Sequence, residues 1–342
     1  MGEDVLRGVD DLTGVDDDVR TTGAGGTGGA SAAKTSGHRR SSPSEPVRRR
    51  RPIGPRLWHF LTFGAPGLTV YVCFVLAPIV LSFGYSLTNY NPFNPPTRFV
   101  GLRNYRMLFQ DSEFLLSLRV TTILTVIVVI VPNVLGLAIA LLLDRRGWFY
   151  NALRTVFFTP VVLSTVVVSI IWIRLMADDG LINQALRGIG VSDPPGWLSD
   201  PSYALYSLAI VLSWQMLGFC VVVYLAGLQG VPNELQEAAA IDGAGPLERF
   251  RHITWPMLAP ALTINTVVML ISAFKVFDHV QVITKGGPGT GTTATVAYNV
   301  IQTGFVANRQ GYASAMAIVM LVIIATASGI ALKILQRREV QL

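Results

Sequence analysis

Charge is scarce in this sequence. Asp, Glu, Lys and Arg make up 14% of its 342 residues, against 51% that are hydrophobic. A soluble domain carries about 25% charged residues, so the shortage points to a chain built for a bilayer. Cysteine is nearly missing as well. Cys73 and Cys220 both fall in apolar runs, which excludes a disulfide framework and a thiolate metal site and leaves both as small buried apolar residues. The four histidines, His38, His59, His252 and His279, are scattered without turn-spaced partners, so no metal is expected. No catalytic triad can be argued. A nucleotide loop is missing too. Gly286 and Gly291 have the spacing of a phosphate-binding loop, but Thr292 stands where that loop needs its lysine, and Lys285 precedes the glycines. The chain is therefore expected to bind no cofactor and to be no enzyme. No apolar run begins near Met1, so no signal peptide is expected. The net charge of +6 comes from basic residues beside apolar spans, not from a patch interleaved with aromatics, which argues against nucleic acid as a partner.

What the sequence does hold is long apolar runs behind a polar tail. Residues 1–56 open with acidic residues, pass through a Gly/Ser/Thr/Ala tract to Gly37, and end in a basic run that includes Arg48 to Arg51. Such a segment has too little to bury, and a disordered cytoplasmic tail is expected. Residues 57–342 read as a transmembrane domain. A bilayer core takes roughly 20 apolar residues of helix, and six stretches qualify, at about 63–87, 120–143, 155–176, 203–228, 259–284 and 312–335. Pro78, Pro132 and Pro160 fall inside them and are expected to kink them. Basic residues set the orientation. They are denser in the segment before the first span, in the second loop (Arg145, Arg146, Arg154), in the fourth (Arg249, Arg251) and after the last span (Lys333, Arg337, Arg338) than on the opposite side (Arg98, Arg103, Arg106, Arg187, Lys285, Arg309). Both termini are therefore expected in the cytoplasm, and lipid surrounds the spans.

One loop stands out. Residues 229–258 interrupt the apolar second half, and the stretch Glu237–Pro260 reads EAAAIDGAGPLERFRHITWPMLAP. Asn233 with Gln236 suits a capping box, Leu235, Ala238 and Ala239 give a small flat apolar face, and Gly243 marks a backbone position where a Cβ is costly. Gly245-Pro246 then restarts the chain as a second helix, with Phe250 and Ile253 placed to seat it. Two short helices at a sharp angle make a knob for a partner's groove.

The spacing of Glu237, Ala238, Ala239, Gly243, Ile253 and Pro256 resembles the cytoplasmic loop of ABC-importer permeases, with Trp255 where leucine is usual. The resemblance implies an all-α polytopic protein with the type I importer permease fold. It also implies that these residues, with Asp242, couple the chain to a separate ATP-binding subunit dimer that uses ATP and Mg. Phe99–Tyr105 (FVGLRNY), Phe277-Asp278, Thr284–Pro288 and Gly311–Ala315 look like the carbohydrate-uptake branch, first permease subunits of the maltose and glycerol-phosphate type. That likeness implies a second permease subunit, an extracytoplasmic solute-binding protein and a carbohydrate substrate in the plasma membrane.

For the substrate path the residues themselves offer only polar positions inside spans. Asn265, Lys275 and Asp278 lie in the fifth stretch with Thr263, Ser272, His279 and Gln281, and Trp214 and Gln215 lie in the fourth. Lys275 and Asp278, three apart, either neutralise each other on one helical face or line the path. Two other readings stay open: a permease for a non-sugar solute, which the loop alone permits, and an ion-coupled secondary transporter, which leaves the loop unexplained.

Overall fold

The computed structural model describes Thr62 and residues 64–337. The tail expected over residues 1–56 lies outside them. Among the described residues the chain is helical, and its one extended pairing is an isolated bridge between Thr88 and Phe99.

The first long helix, α1 (Ala65–Ser86), is followed by the short α2 (Arg103–Leu108) and by α3 (Ser112–Leu143). Then come α4 (Trp148–Val162), α5 (Thr165–Leu175) and α6 (Leu181–Gly188), and the long α7 (Pro201–Gln229). The second half holds α8 (Asn233–Ile241), α9 (Pro246–Met257), α10 (Ala259–Phe274), α11 (Val296–Ile301) and α12 (Gln310–Gln336). Asp111 and Asp200 start α3 and α7 by accepting from the backbone N–H of Glu113 and Ser202, each satisfying a donor that the helix leaves free.

Among the described residues four helices, α1, α3, α7 and α12, are each long and apolar enough to cross a membrane. Two further pairs qualify if each bent pair is one crossing: α4 with α5, at 100°, and α9 with α10, at 58°. The stretches expected at 155–176 and 259–284 are therefore not single helices. The first begins earlier, at Trp148, and breaks at Leu163 and Ser164, whose backbone is extended (ψ 143° and 134°). The second ends at Phe274 and resumes at Asp278 and His279, running into one wide turn over Val280–Thr284. Pro132 sits within a continuous α3, and Pro78 follows a wide turn at Val72–Leu76 inside α1, a local widening that absorbs the lost hydrogen bond.

α7 is the axis of the domain, packed against α3, α4 and α10. Ala140 and Leu143 of α3 meet Cys220, Val221, Tyr224, Leu225 and Leu228 of α7, and Leu258, Ala261 and Met269 close the cluster. Glycines permit the close approach. A Cβ on Gly136 would come within 2.7 Å of the Cys220 Cβ, and one on Gly218 would strike the carbonyl oxygen of Phe157 in α4. In α1, by contrast, Ser86 is buried and the rest of the helix is not. Cys73 is exposed there, correcting the expectation that both cysteines are buried; Cys220 is buried as expected.

Candidate functional site

The loop between α7 and α10 folds as a helical hairpin. α8 closes with a Schellman arrangement: the Ala244 N–H donates to Ala239 O at 2.9 Å, and the Gly243 N–H donates to Ala240 O at 3.1 Å. Gly243 has φ +84°, the left-handed region that a Cβ disfavours. A Cβ there would meet nothing within 4 Å, so the need for glycine comes from the backbone conformation and not from crowding. The capping box expected at Asn233 does not form. Pro232 is the residue before the first turn, Asn233 is already helical, and no side chain caps α8. Gln236 instead reaches across the hairpin, its Nε2 donating to the buried Thr254 Oγ1 at 3.0 Å. Gly245-Pro246 opens α9 as expected, with Glu248 Oε2 accepting from the Gly245 N–H at 3.0 Å.

Most of the motif residues stand at the surface of this hairpin. Glu237, Ala238, Asp242 and Gly243 are exposed, and Ala239, Ile253 and Pro256 are half-buried. The largest apolar groups on the tip are ones the sequence did not single out: Ile241 is 86% and Leu247 78% exposed. Trp255 and Pro256, at the base, line a small apolar cavity of about 210 Å³ with Leu258, Leu262 and Leu335 of α12. The hairpin is thus anchored to the spans at one end and bare at the other.

A second constellation lies within the bundle. Gln215, buried in the middle of α7, donates from Nε2 to Leu163 O at 3.2 Å, and its Oε1 lies 2.7 Å from His279 Nε2. Leu163 O is available because Leu163 and Ser164 leave the helix between α4 and α5. His279 stands just after the break that ends α10, so one glutamine holds both interruptions. Elsewhere on α7, Tyr224 Oη donates to Asn133 Oδ1 of α3 at 2.7 Å. Asn265 of α10, fully buried, donates to Cys220 O at 3.4 Å and leaves its Oδ1 without a partner.

The structure therefore separates the polar positions proposed for a path. Gln215 meets His279, whereas Asn265 bonds the Cys220 carbonyl and Tyr224 bonds Asn133. Trp214 packs edge-on against Trp172 at 5.5 Å and lines an apolar groove of about 500 Å³ with Ile127, Val131 and Tyr206. Lys275 and Asp278 do not share a helical face. The helix ends at Phe274, both side chains are exposed on either side of the break, and no ion pair joins them. Tyr224, Asn133 and the Leu163 carbonyl were missed from sequence. A tyrosine and an asparagine in apolar helices signal a buried bond, but the pairing partner is set by packing.

Residues 133–341 match the family described as the binding-protein-dependent transport system inner membrane component. The chain belongs to this family. It is an ABC transporter permease and a multi-pass protein of the cytoplasmic membrane. Among its relatives is the probable starch degradation products transport system permease protein of Thermoanaerobacterium thermosulfurigenes, 35% identical over 84% of this chain and 96% of that protein. The trehalose/maltose transport system permease protein of Thermococcus litoralis is 36% identical over 79% of this chain and 90% of its own length. In fold, the permease resembles a chain from the crystal structure of a bacterial alginate ABC transporter in complex with alginate pentasaccharide-bound periplasmic protein. The TM-score is 0.71 at 21% identity, over 81% of this chain and 93% of that one.

Proposed function

We propose that this permease is the membrane-spanning subunit of an ATP-driven, binding-protein-dependent importer that carries a carbohydrate into the cytoplasm. Six crossings, with each bent pair counted as one and both termini cytoplasmic, make its domain of residues 57–342 a type I importer permease. The observation that carries the coupling half of this reading is the hairpin of residues 229–258. A glycine-terminated helix with bare Ile241 and Leu247 at its tip offers apolar surface to a partner, and unpartnered apolar groups on a polar loop mark an interaction site. In this reading the hairpin sits in a groove of the ATP-binding subunit dimer, and Glu237, Ala238, Ala239, Asp242, Gly243, Ile253 and Pro256 carry its motion to the spans. ATP and Mg belong to that partner. The relatives named for starch degradation products and for trehalose/maltose support the carbohydrate substrate.

A second permease subunit completes the pathway, and an extracytoplasmic solute-binding protein delivers the sugar. The helix breaks beside Gln215 and His279 fit a path at mid-membrane, since irregular backbone in a bilayer is tolerated where it lines a cavity or is buried in protein. Lys275 and Asp278, exposed beside the second break, then face the path, with Trp214, Gln215 and Asn265 in the walls behind it. Transport follows from alternating access. The loaded binding protein and ATP must each bind the outward-facing state better than the inward-facing one, because only differential binding shifts the equilibrium.

The test is purification of the detergent-solubilised complex, with its subunits identified, followed by reconstitution and assay of sugar uptake. Co-purification of an ATPase and a second permease, with hydrolysis stimulated by one loaded binding protein, is the expected result. Uptake by the lone chain without ATP overturns the reading. Stimulation by an amino acid or an oxyanion in place of a sugar overturns its carbohydrate half alone.

A further inference from the structure

Where α3 ends and α4 begins, three arginines surround a polar cavity of about 570 Å³. Asp144, Arg145, Arg146, Asn151 and Arg154 line one side, and Leu228, Gln229, Val231 and Asn233 the other. Gly147, with φ +141°, turns the chain between them. Part of this charge has a structural use. Arg154 donates from Nη2 to Leu143 O at 2.7 Å and to Arg145 O at 3.2 Å, and from Nη1 to Asn151 Oδ1 at 3.2 Å. A cation capping the free carbonyls of a helix C-terminus is favourable in itself. That use leaves Arg154 Nε buried without a partner. It also leaves Arg145 with one long contact, 3.5 Å to Tyr150 Oη, and Arg146 with none.

Among the described residues no carboxylate pairs with any of these guanidinium groups. Asp144 shares the cavity but makes no ion pair with any of the three arginines. The facing wall adds the first turn of α8, whose backbone N–H groups have no side-chain cap at Asn233. Uncapped N–H groups and unpaired guanidinium groups both seek an anion, and arginine's planar fork suits phosphate oxygens.

The surroundings place this cavity at the level of lipid headgroups. It sits at the ends of α3 and α7, two helices long and apolar enough to cross the membrane. Beside it, Trp148 is 82% exposed, Phe149 is 56% exposed, and the two rings meet edge-on at 6.4 Å. Aromatic residues of this kind mark the boundary between hydrocarbon and headgroups, and basic pockets between membrane helices take anionic headgroups. The geometry points to the pocket of Arg145, Arg146 and Arg154 as a binding site for the phosphate of an anionic phospholipid. One wall belongs to the start of α8, so a bound headgroup bridges the α3–α4 corner to the hairpin.

The experiment uses the assembled complex, purified in mild detergent and titrated with phosphatidylglycerol or phosphatidylcholine, with bound lipid counted by native mass spectrometry. Wild-type complex and an Arg98→Gln control retain phosphatidylglycerol in preference to phosphatidylcholine. In the Arg145→Gln/Arg146→Gln double variant that retention falls roughly tenfold or more. The Arg145→Lys/Arg146→Lys variant keeps most of the retention, which separates charge from fold. Arg154 is left untouched because it holds the end of α3. Equal retention by wild type and the glutamine variant overturns the proposal. Displacement of phosphatidylglycerol by millimolar inorganic phosphate also overturns it, assigning the pocket to a soluble phosphate. Loss of a co-purifying subunit with unchanged lipid retention assigns the arginines to a protein carboxylate, and likewise overturns it.

Discussion

Gln215 and His279 meet at 2.7 Å, and through that contact the continuous helix α7 holds both places where the neighbouring chain leaves helical geometry. The other hydrogen bond of the same amide goes to Leu163 O at the α4–α5 break. A broken helix in a membrane exposes carbonyls and amides that lipid cannot satisfy, so each break needs a polar partner from inside the bundle. Gln215 touches both, directly at the Leu163 carbonyl and through the His279 ring beside the second, where Thr295 Oγ1 donates to Val276 O at 2.8 Å.

Replacing Gln215 with alanine leaves the Leu163 carbonyl and the His279 ring without this partner. Each buried group so orphaned costs roughly 1–3 kcal/mol. The Gln215→Ala complex is expected to assemble, to melt at lower temperature and to transport more slowly. The pair itself is measured by a double-mutant cycle with His279→Ala, in which a contact of this kind gives an interaction energy of about 0.5–3 kcal/mol. Additive losses of melting temperature would show that the two residues act separately.

At Gly243 the expected order of variants follows from backbone geometry. With open space around the missing Cβ and φ at +84°, asparagine is tolerated better than alanine, and alanine better than valine. The left-handed conformation costs an L-residue roughly 1–2 kcal/mol. Transport per assembled complex is expected to fall in that order while membrane insertion stays constant. Equal transport by Gly243→Val and wild type would remove the turn from the coupling path.

Much of the fold was legible because apolar length and helix ends are local properties. The runs at 63–87, 203–228 and 312–335 match helices at Ala65–Ser86, Pro201–Gln229 and Gln310–Gln336 to within a few residues. Gly243 and Gly245-Pro246 were legible for the same reason. The breaks at Leu163-Ser164 and after Phe274 were not. Pro160 implies a kink in the α4–α5 span, which does bend by 100°. The break itself, however, falls at Leu163 and Ser164, whose own chemistry does not mark it and whose extended backbone is stabilised by Gln215, more than fifty residues away. Lys275 and Asp278 misled because their spacing of three implies a shared face only while the helix continues. Asn133 and Tyr224 are separated by ninety-one positions, and no local pattern connects them.

Close packing around Gly218 gives a prediction of stability alone. Any Cβ there runs into the Phe157 backbone, so Gly218→Ala must push α4 away from α7. Overpacking of this kind costs typically about 1–3 kcal/mol. A lowered melting temperature of the purified permease is expected. Gly188→Ala, where a Cβ meets open space, serves as the control and leaves the melting temperature unchanged. If both variants melt like wild type, α4 and α7 do not approach closely at Gly218.

Ile241 and Leu247 separate binding from folding most cleanly. Both are exposed on the hairpin tip at 86% and 78%, so exchanging them for serine removes no core contact, and surface substitutions of this type change stability by about 0.5 kcal/mol or less. If the tip enters a groove of the ATP-binding subunit, the same exchange strips apolar area from the centre of an interface, where a single anchor is commonly worth about 2 kcal/mol or more. The Ile241→Ser/Leu247→Ser permease is therefore expected to keep its melting temperature and its membrane level. It is expected to lose most of its co-purifying ATPase and its ATP-dependent uptake. A stable variant that still holds the ATPase and transports at the wild-type rate would place the contact elsewhere on the hairpin, at Glu237 or Ala238, and would leave the bare tip without a role in coupling.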